Sequence, residues 1–175
     1  MTTPSAKMLV LVGEKFSCIK IIGRANFNSS VDFRTLINQL REKGYSYFIL
    51  ELSECALMDS TFLGVLTGFG LKLNPAQQAD YEGAVELRNA NARITDLLEN
   101  LGVLHLFRLT NGPLNTPSNG EAQNAPCRNA SKAEVTEACL EAHRTLMEVN
   151  PANVAKFKDV TQFLAEDLKR MKAAV

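Results

Sequence analysis

The sequence lacks the residue patterns that several large functional classes require. Its four cysteines include no Cys-x-x-Cys pair, and only two histidines accompany them, which argues against a zinc site and against a disulfide framework. The 175 residues carry 19 basic and 19 acidic side chains, and the parts before and after Thr110 are each balanced in charge. Direct binding to the phosphate backbone of nucleic acid, which needs a basic surface, is therefore not expected.

Long apolar segments are missing as well. The longest charge-free apolar run extends from Ser60 to Leu71, which is shorter than the roughly 20 residues that span a bilayer. The residues from Met1 to Lys7 do not resemble the apolar core of a signal peptide. We therefore expect a cytoplasmic protein without a transmembrane segment, whose cysteines are buried free thiols.

Motifs of the common catalytic chemistries are also missing. The sequence contains no glycine-rich phosphate loop, no Gly-x-Ser-x-Gly elbow and no His-Glu-x-x-His. We expect His105 to lie at the surface or packed at the end of a strand, and His143 to be solvated among charged residues. The sequence thus predicts no catalytic residue, no metal site and no cofactor, and we expect a protein that is not an enzyme.

What the sequence does contain is a regular succession of strand and helix patterns. Apolar runs at 8–12 and 16–22 predict an antiparallel hairpin, and an amphipathic helix capped by Ser29 or Ser30 follows and ends at Gly44. The remaining patterns are a strand at 45–52, a loop at 53–58, a helix at 59–71, a strand at 81–87, a helix at 92–101 and a strand at 105–109. Single helices between strands predict parallel neighbours, so we expect an α/β domain over residues 1–110 with a mixed sheet of about five strands.

The composition changes after this domain. Residues 111–130 are rich in proline and asparagine and almost free of large apolar side chains, which is typical of a linker. Ser131 and Glu134 then form a capping-box pattern, and the Asn150-Pro151 pair divides residues 131–175 into two amphipathic helices. Because two such helices bury little surface by themselves, we expect this hairpin to pack on the main domain or to form a homodimer with a second copy.

The helix at 59–71 is unusual in its glycines and in its first residues. Gly64 and Gly68 each give up about 0.8 to 1 kcal/mol of helix propensity, and their spacing of four leaves a bare stripe that the chain's own sheet or another protein must approach closely. Asp59 and Ser60 stand at the helix N-terminus, where free N–H groups favour an anion. The residues alone leave two interpretations open: a simple helix cap, or a phosphate on Ser60 that disfavours a partner on the glycine stripe.

A resemblance adds to this reading. Residues 52–66, Leu-Ser-Glu-Cys-Ala-Leu-Met-Asp-Ser-Thr-Phe-Leu-Gly-Val-Leu, resemble the signature segment of STAS domains, the family of bacterial anti-sigma-factor antagonists. Gly23-Arg24-Ala25-Asn26 resembles a second landmark of that family. The resemblance covers about residues 7–110 and implies a STAS-like mixed sheet with helices packed mainly on one face. It does not cover the C-terminal hairpin.

The resemblance implies a function and a set of site residues. Ser60 would be phosphorylated by a partner serine kinase that doubles as an anti-sigma factor; the unphosphorylated protein would bind that kinase, and a serine phosphatase would restore this form. Asp59 and Asn26 would support the phosphorylation site, although many members of the family carry an aspartate where Asn26 stands. Partner-binding residues would be Thr61, Phe62, Gly64, Leu66 and Gly68, with Phe62 replacing a usual glycine.

Two other functions remain open at this point. The same fold without phosphorylation would serve as a scaffold or as a transport-accessory subunit that acts by docking. Alternatively, Asp59 would accept a phosphoryl group as in receiver domains, but that chemistry needs a metal-binding acidic cluster, and only Glu14 stands near the end of an early strand. The phosphorylation switch also requires an accessible Ser60, because a Ser60 enclosed beneath the C-terminal hairpin would be out of reach of a kinase.

Overall fold

The structure is a computed structural model that describes residues 5–14, 16–73, 85–114 and 122–175. Within these residues, seven strands form one mixed sheet in the order β6-β5-β3-β2-β1-β7, and β4 pairs with the end of β2. The strands are β1 Lys7–Val12, β2 Phe16–Ala25, β3 Tyr47–Glu51, β4 Cys55–Met58, β5 Val85–Arg88, β6 Arg108–Thr110 and β7 Gln123–Asn124. The helices are α1 Phe27–Glu42, α2 Ser60–Leu73, α3 Ala92–Asn100, α4 Lys132–Val149 and α5 Ala152–Ala173, and a short 3-10 helix covers Leu104–Leu106.

Strand direction follows the connections, as the sequence predicted. β1 and β2 form the antiparallel hairpin, whereas β2, β3, β5 and β6 are parallel neighbours joined through helices. Alternate strand residues point to one face and form a single core with α1, α2 and α3. Ile19, Phe48, Leu50 and Leu87 in this core are completely buried, which fixes the register of the central strands.

The opposite face of the sheet carries a polar network. The Glu86 carboxylate accepts hydrogen bonds from the Tyr47 hydroxyl, the Thr110 hydroxyl and the Arg88 guanidinium. Burial raises the pKa of Glu86, but these hydrogen bonds together hold it below its ordinary value. Burial and the hydrogen bond to Glu86 raise the pKa of Tyr47 to about 12. The network satisfies a carboxylate that is only 4% exposed.

Several boundaries differ from the predictions. The predicted loop at 53–58 contains β4, which pairs with Gly23–Ala25, and the predicted strand at 105–109 is partly a 3-10 helix, with β6 starting only at Arg108. The predicted strand at 81–87 is seen from Val85 onward, and its first part lies outside the described residues. In the predicted linker, β7 pairs with β1 at the edge of the sheet.

Asn26, rather than Ser29 or Ser30, is the N-cap of α1. Its side-chain oxygen accepts from the backbone N–H groups of Asn28 and Ser29, and the Ser29 hydroxyl accepts from the Asn26 N–H. This reciprocal pairing is a capping box with serine in place of the usual glutamate. Ser30 bonds the carbonyl of Phe27 inside the helix, so the prediction of the cap was wrong by one turn.

The C-terminal hairpin packs on the main domain. α4 lies against α2 and α1, and α5 covers the outer side of α4. Capping by Ser131 and Glu134 is confirmed. At the turn between the helices, the buried Asn153 amide donates to the carbonyl oxygens of Leu101 at 2.9 Å and Leu146 at 2.8 Å, which ties the hairpin to the end of α3. None of the described helices is long and apolar enough to cross a membrane.

Candidate functional site

Asp59 joins the N-termini of two helices. Its Oδ1 accepts a hydrogen bond from the backbone N–H of Phe62 in α2, and its Oδ2 accepts one from the N–H of Phe27 in α1, both at 2.8 Å. The capping role predicted for Asp59 is therefore confirmed, and the second helix is an addition that the sequence did not reveal. One carboxylate thereby fixes the relative position of α1 and α2 at their positive ends.

The environment of Asp59 opposes ionisation overall. Burial raises the pKa of its carboxyl, while hydrogen bonds from the N–H groups of Phe62 and Phe27 and the nearby His143 act in the opposite direction. The balance leaves the pKa above its ordinary value. The described residues contain no cluster of three or more acidic, histidine or cysteine side chains able to hold a metal ion.

Ser60 is held by a residue of the C-terminal hairpin. Its Oγ lies 2.9 Å from Nε2 of His143 in α4, and Nδ1 of His143 lies 2.6 Å from the carbonyl oxygen of Cys139. Because a carbonyl oxygen only accepts, Nδ1 of His143 donates to Cys139, and Nε2 is the ring nitrogen that pairs with the Ser60 hydroxyl. His143 is only 6% exposed and packs on Phe157 of α5. The prediction of a solvated His143 was wrong.

The glycine stripe of α2 is covered by α4. A Cβ atom placed on Gly64 would lie 2.5 Å from the carbonyl oxygen of Ala142 and 2.6 Å from the Ala142 Cβ, so only glycine permits this approach of the two helices. Gly68 is less crowded, since a Cβ there would have its nearest neighbour, the Thr145 Cγ2, at 3.8 Å. The close approach that the sequence predicted is thus made by the chain's own fourth helix.

The other residues predicted to bind a partner are also buried in this arrangement. Phe62 and Leu66 are completely buried, and the Phe62 ring packs on Phe33 of α1 with the ring centres 4.8 Å apart. Thr61 is 5% exposed and its hydroxyl donates to the Cys139 thiol. Phe62 and Leu66 are therefore core residues here, whereas Ser60 and Gly68 keep partial exposure.

Asn26 lies next to this site as the N-cap of α1. It caps α1 beside the residue that donates to Asp59, and its own side chain is occupied by that capping. Sequence reasoning missed two residues here, Phe27 and His143. Phe27 lies next to Asp59 with 43% of its surface exposed. A single aromatic residue in the first turn of a helix does not indicate that its backbone N–H donates to a distant carboxylate. His143 is 83 residues from Ser60, so local patterns do not relate the two.

The cysteines differ in their surroundings. Cys18 and Cys55 are buried as predicted, Cys139 is partly buried against Thr61, and Cys127 is exposed, which corrects the prediction for that residue. Burial raises the pKa of Cys18 to about 11, and it also raises the pKa of Cys139. Both thiols are therefore poor nucleophiles near neutral pH.

Comparison with known proteins identifies the fold. No protein-family model and no curated protein matches the sequence. Among solved structures, a candidate anti-sigma factor antagonist from Thermotoga maritima is 15% identical, with a TM-score of 0.51 over 59% of this chain and 85% of that chain. The anti-sigma factor antagonist SpoIIAA in its unphosphorylated form is 16% identical, with a TM-score of 0.47 over 62% of this chain and 89% of that chain. The chain therefore shares the fold of the Thermotoga maritima structure, in agreement with the fold that the signature segment implied.

Proposed function

We propose that this protein is an anti-sigma-factor antagonist that binds an anti-sigma serine kinase when Ser60 is unphosphorylated and releases it when Ser60 carries a phosphate. A serine phosphatase reverses the modification, and all these steps take place in the cytoplasm. In this proposal the chain acts by binding and is not an enzyme. The observation that carries it is the position of Ser60, a partly exposed hydroxyl at the N-terminus of α2, directly after the capping Asp59.

This position makes a phosphate both tolerable and disruptive. The first turn of α2 supplies a positive helix end, which favours an anion on Ser60. The same hydroxyl lies at hydrogen-bond distance from His143, so a phosphate with about 1.5 to 2 negative charges would need space that the imidazole now occupies. Modification therefore changes what can lie against α2, and this is the effect that a binding switch requires.

Because α4 covers part of α2, a kinase first encounters a closed form of the protein. Thr61 and Gly64 are buried against Cys139 and Ala142, so α4 has to move before a kinase active site reaches Ser60 or a partner reaches the glycine stripe. Ser60 itself keeps partial exposure, but its hydroxyl is bonded to His143 of this same helix. We infer that phosphorylation of Ser60 is slow in the closed form and faster once α4 has moved.

The same cover favours one alternative, a scaffold or transport-accessory subunit that is never phosphorylated. In that case the bond between Ser60 and His143 only fixes α4 on α2, and docking uses other surfaces. This alternative differs from the switch in a single measurable respect, the incorporation of phosphate at Ser60. The receiver-type alternative has no such support, because the described residues offer no acidic cluster for a metal ion.

Incubation with an anti-sigma serine kinase and with radiolabelled ATP tests the proposal. We expect one phosphate per chain, lost in Ser60→Ala and retained in the control Ser53→Ala, which alters an exposed serine in the preceding loop. Ser60→Asp is expected to weaken the complex with the kinase, measured by calorimetry. Phosphate incorporation that is unaffected by Ser60→Ala, or no incorporation at all, would favour the scaffold.

We also propose that any homodimer uses α5, because the apolar side of α4 is already occupied. Val160 and Phe163 are 40% and 62% exposed. In an antiparallel pair of α5 helices, Val160 of one copy would meet Phe163 of the other. This arrangement matches apolar with apolar residues.

A further inference from the structure

We propose that His143 couples the phosphorylation state of Ser60 to the position of the C-terminal hairpin. The free hydroxyl holds α4 on α2 through the imidazole, whereas a phosphate on the same oxygen loosens this contact. The inference rests on the proposed function and deepens it, because it names a regulated change within this chain. Its test introduces phosphoserine during translation and needs no kinase, so its failure is distinguishable from that of the phosphorylation switch.

The imidazole of His143 is fixed in direction by its own hairpin. Its Nδ1 lies 2.6 Å from the carbonyl oxygen of Cys139, one turn earlier in α4. Its ring packs on Phe157 of α5, with the ring centres 4.9 Å apart, and the residue is buried. The Ser60 hydroxyl lies 2.9 Å from Nε2, so this contact depends on where α4 lies.

A phosphate on Ser60 removes this pairing as it stands. The serine oxygen of a phosphoserine carries no proton and has nothing to donate to Nε2 of His143. A phosphate held between the two residues needs space for a phosphorus atom and three further oxygens, and the present distance of 2.9 Å does not provide it. A phosphate turned toward solvent leaves Nε2 without its partner, which is unfavourable for a buried polar atom.

The closed contact makes room for a phosphate only if α4 moves away from α2. At Ala142, the residue before His143, the two helices already touch, because a Cβ on Gly64 would lie 2.5 Å from the Ala142 carbonyl oxygen. Charge acts in the same direction, since the carboxylate of Asp59, the residue before Ser60, repels a phosphate held inside the contact. Phosphorylation therefore shifts the equilibrium toward a loosened hairpin.

The coupling acts in both directions. If a phosphate weakens the closed form by a given factor, the closed form disfavours the phosphate by the same factor, because the two equilibria are linked. Such couplings typically amount to about 5- to 150-fold, and the loss of one buried hydrogen bond falls in this range. The closed hairpin would thus disfavour phosphorylation of Ser60, and phosphorylation would favour the open hairpin.

Thiol labelling measures the position of α4. Cys139 is partly buried against Thr61 of α2, whereas Cys127 is exposed and serves as the reference within the same chain. With phosphoserine in place of Ser60 in the full chain, we expect labelling of Cys139 relative to Cys127 to accelerate about 5- to 150-fold. Phosphoserine in place of the exposed Ser46 is the control and should leave this ratio unchanged.

A second variant shows whether the effect passes through the imidazole. His143→Phe keeps an aromatic ring but removes the bond to Ser60, so Cys139 should already react faster in the unmodified variant. Phosphoserine at position 60 should then accelerate labelling far less than it does in the chain with His143. This difference is the one that a double-mutant cycle gives for two coupled residues.

Nuclear magnetic resonance of the imidazoles reports the contact without replacing His143. The chain has two histidines, and the exposed His105 serves as the reference. In a chain with isotope-labelled histidine, phosphoserine at position 60 should shift the ring signals of His143. The signals of His105 should stay where they are.

Three results would overturn the proposal. Unchanged labelling of Cys139 with phosphoserine at position 60 would mean that α4 does not respond to the phosphate. Equal acceleration in the native and His143→Phe chains would mean that the effect bypasses the imidazole. Unchanged ring signals of His143 would mean that the phosphate does not alter its contact with Ser60, and this measurement replaces the variant if circular dichroism shows that His143→Phe does not fold.

Discussion

The replacement of Gly64 by alanine tests the contact between α2 and α4 most directly. The new Cβ would lie 2.6 Å from the Ala142 Cβ, whereas carbon atoms pack best at about 3.5 to 4.0 Å, so α4 has to retreat by about 1 Å. Overpacking of this kind costs about 1 to 3 kcal/mol, and the helix gains about 0.8 to 1 kcal/mol because alanine replaces glycine. We expect the free energy of unfolding to fall by roughly 0 to 2 kcal/mol.

Gly68→Ala is the matched control, because it makes the same chemical change one turn away on the same helix. There the nearest atom would be 3.8 Å from the new Cβ, an ordinary contact, so only the gain of about 0.8 to 1 kcal/mol remains. The two variants should therefore differ by about 1 to 3 kcal/mol, or about 2 to 12 °C in the midpoint of thermal unfolding followed by circular dichroism. Equal midpoints for the two variants would refute the packing of α4 on Gly64.

Three further predictions concern other parts of the molecule. Asp59→Ala removes a cap from two helices and should lower the free energy of unfolding in urea by about 1 to 4 kcal/mol. A loss no greater than that caused by Asp96→Ala, at an exposed position, would contradict the double cap. Tyr47 should ionise near pH 12 in an absorbance titration. Its contribution to the free energy of unfolding is complete below its unfolded pKa of about 10 and is lost as the pH rises through its folded pKa. An absorbance titration curve that Tyr47→Phe leaves unchanged would refute this. Phe163→Glu should reduce a dimeric mass to that of a monomer in sedimentation, and a mass independent of this change excludes pairing through α5.

The strand and helix order was predictable because apolar periodicity and capping residues are local signals. The antiparallel hairpin, α1, α3 and the two C-terminal helices were all predicted from them. β4 was missed because its four residues show no apolar alternation of their own, and they form a strand only by pairing with the extension of β2 at Gly23–Ala25. Asn26 was missed as a cap because Ser29 and Ser30 fit the same pattern one turn later.

The site was predictable only as far as its residues are neighbours in sequence. The capping role of Asp59 followed from its position before α2, and the glycines correctly indicated a close approach. That α4 makes this approach is a contact between elements far apart in the sequence, which no local pattern specifies. The same holds for the surroundings of His143. They come from α2, which is distant in the sequence, and from α5, which follows after a turn.

The turn between α4 and α5 has a consequence for how separable the two parts of the chain are. The Asn153 amide reaches the carbonyl of Leu101 across 52 residues, and the Lys156 ammonium reaches that of Asn100. These are peptide oxygens that the last turn of α3 cannot satisfy by itself. A chain cut after Thr110 would therefore lack the side-chain donors for two of its own backbone carbonyl oxygens. It would be a destabilised domain rather than merely a shorter one.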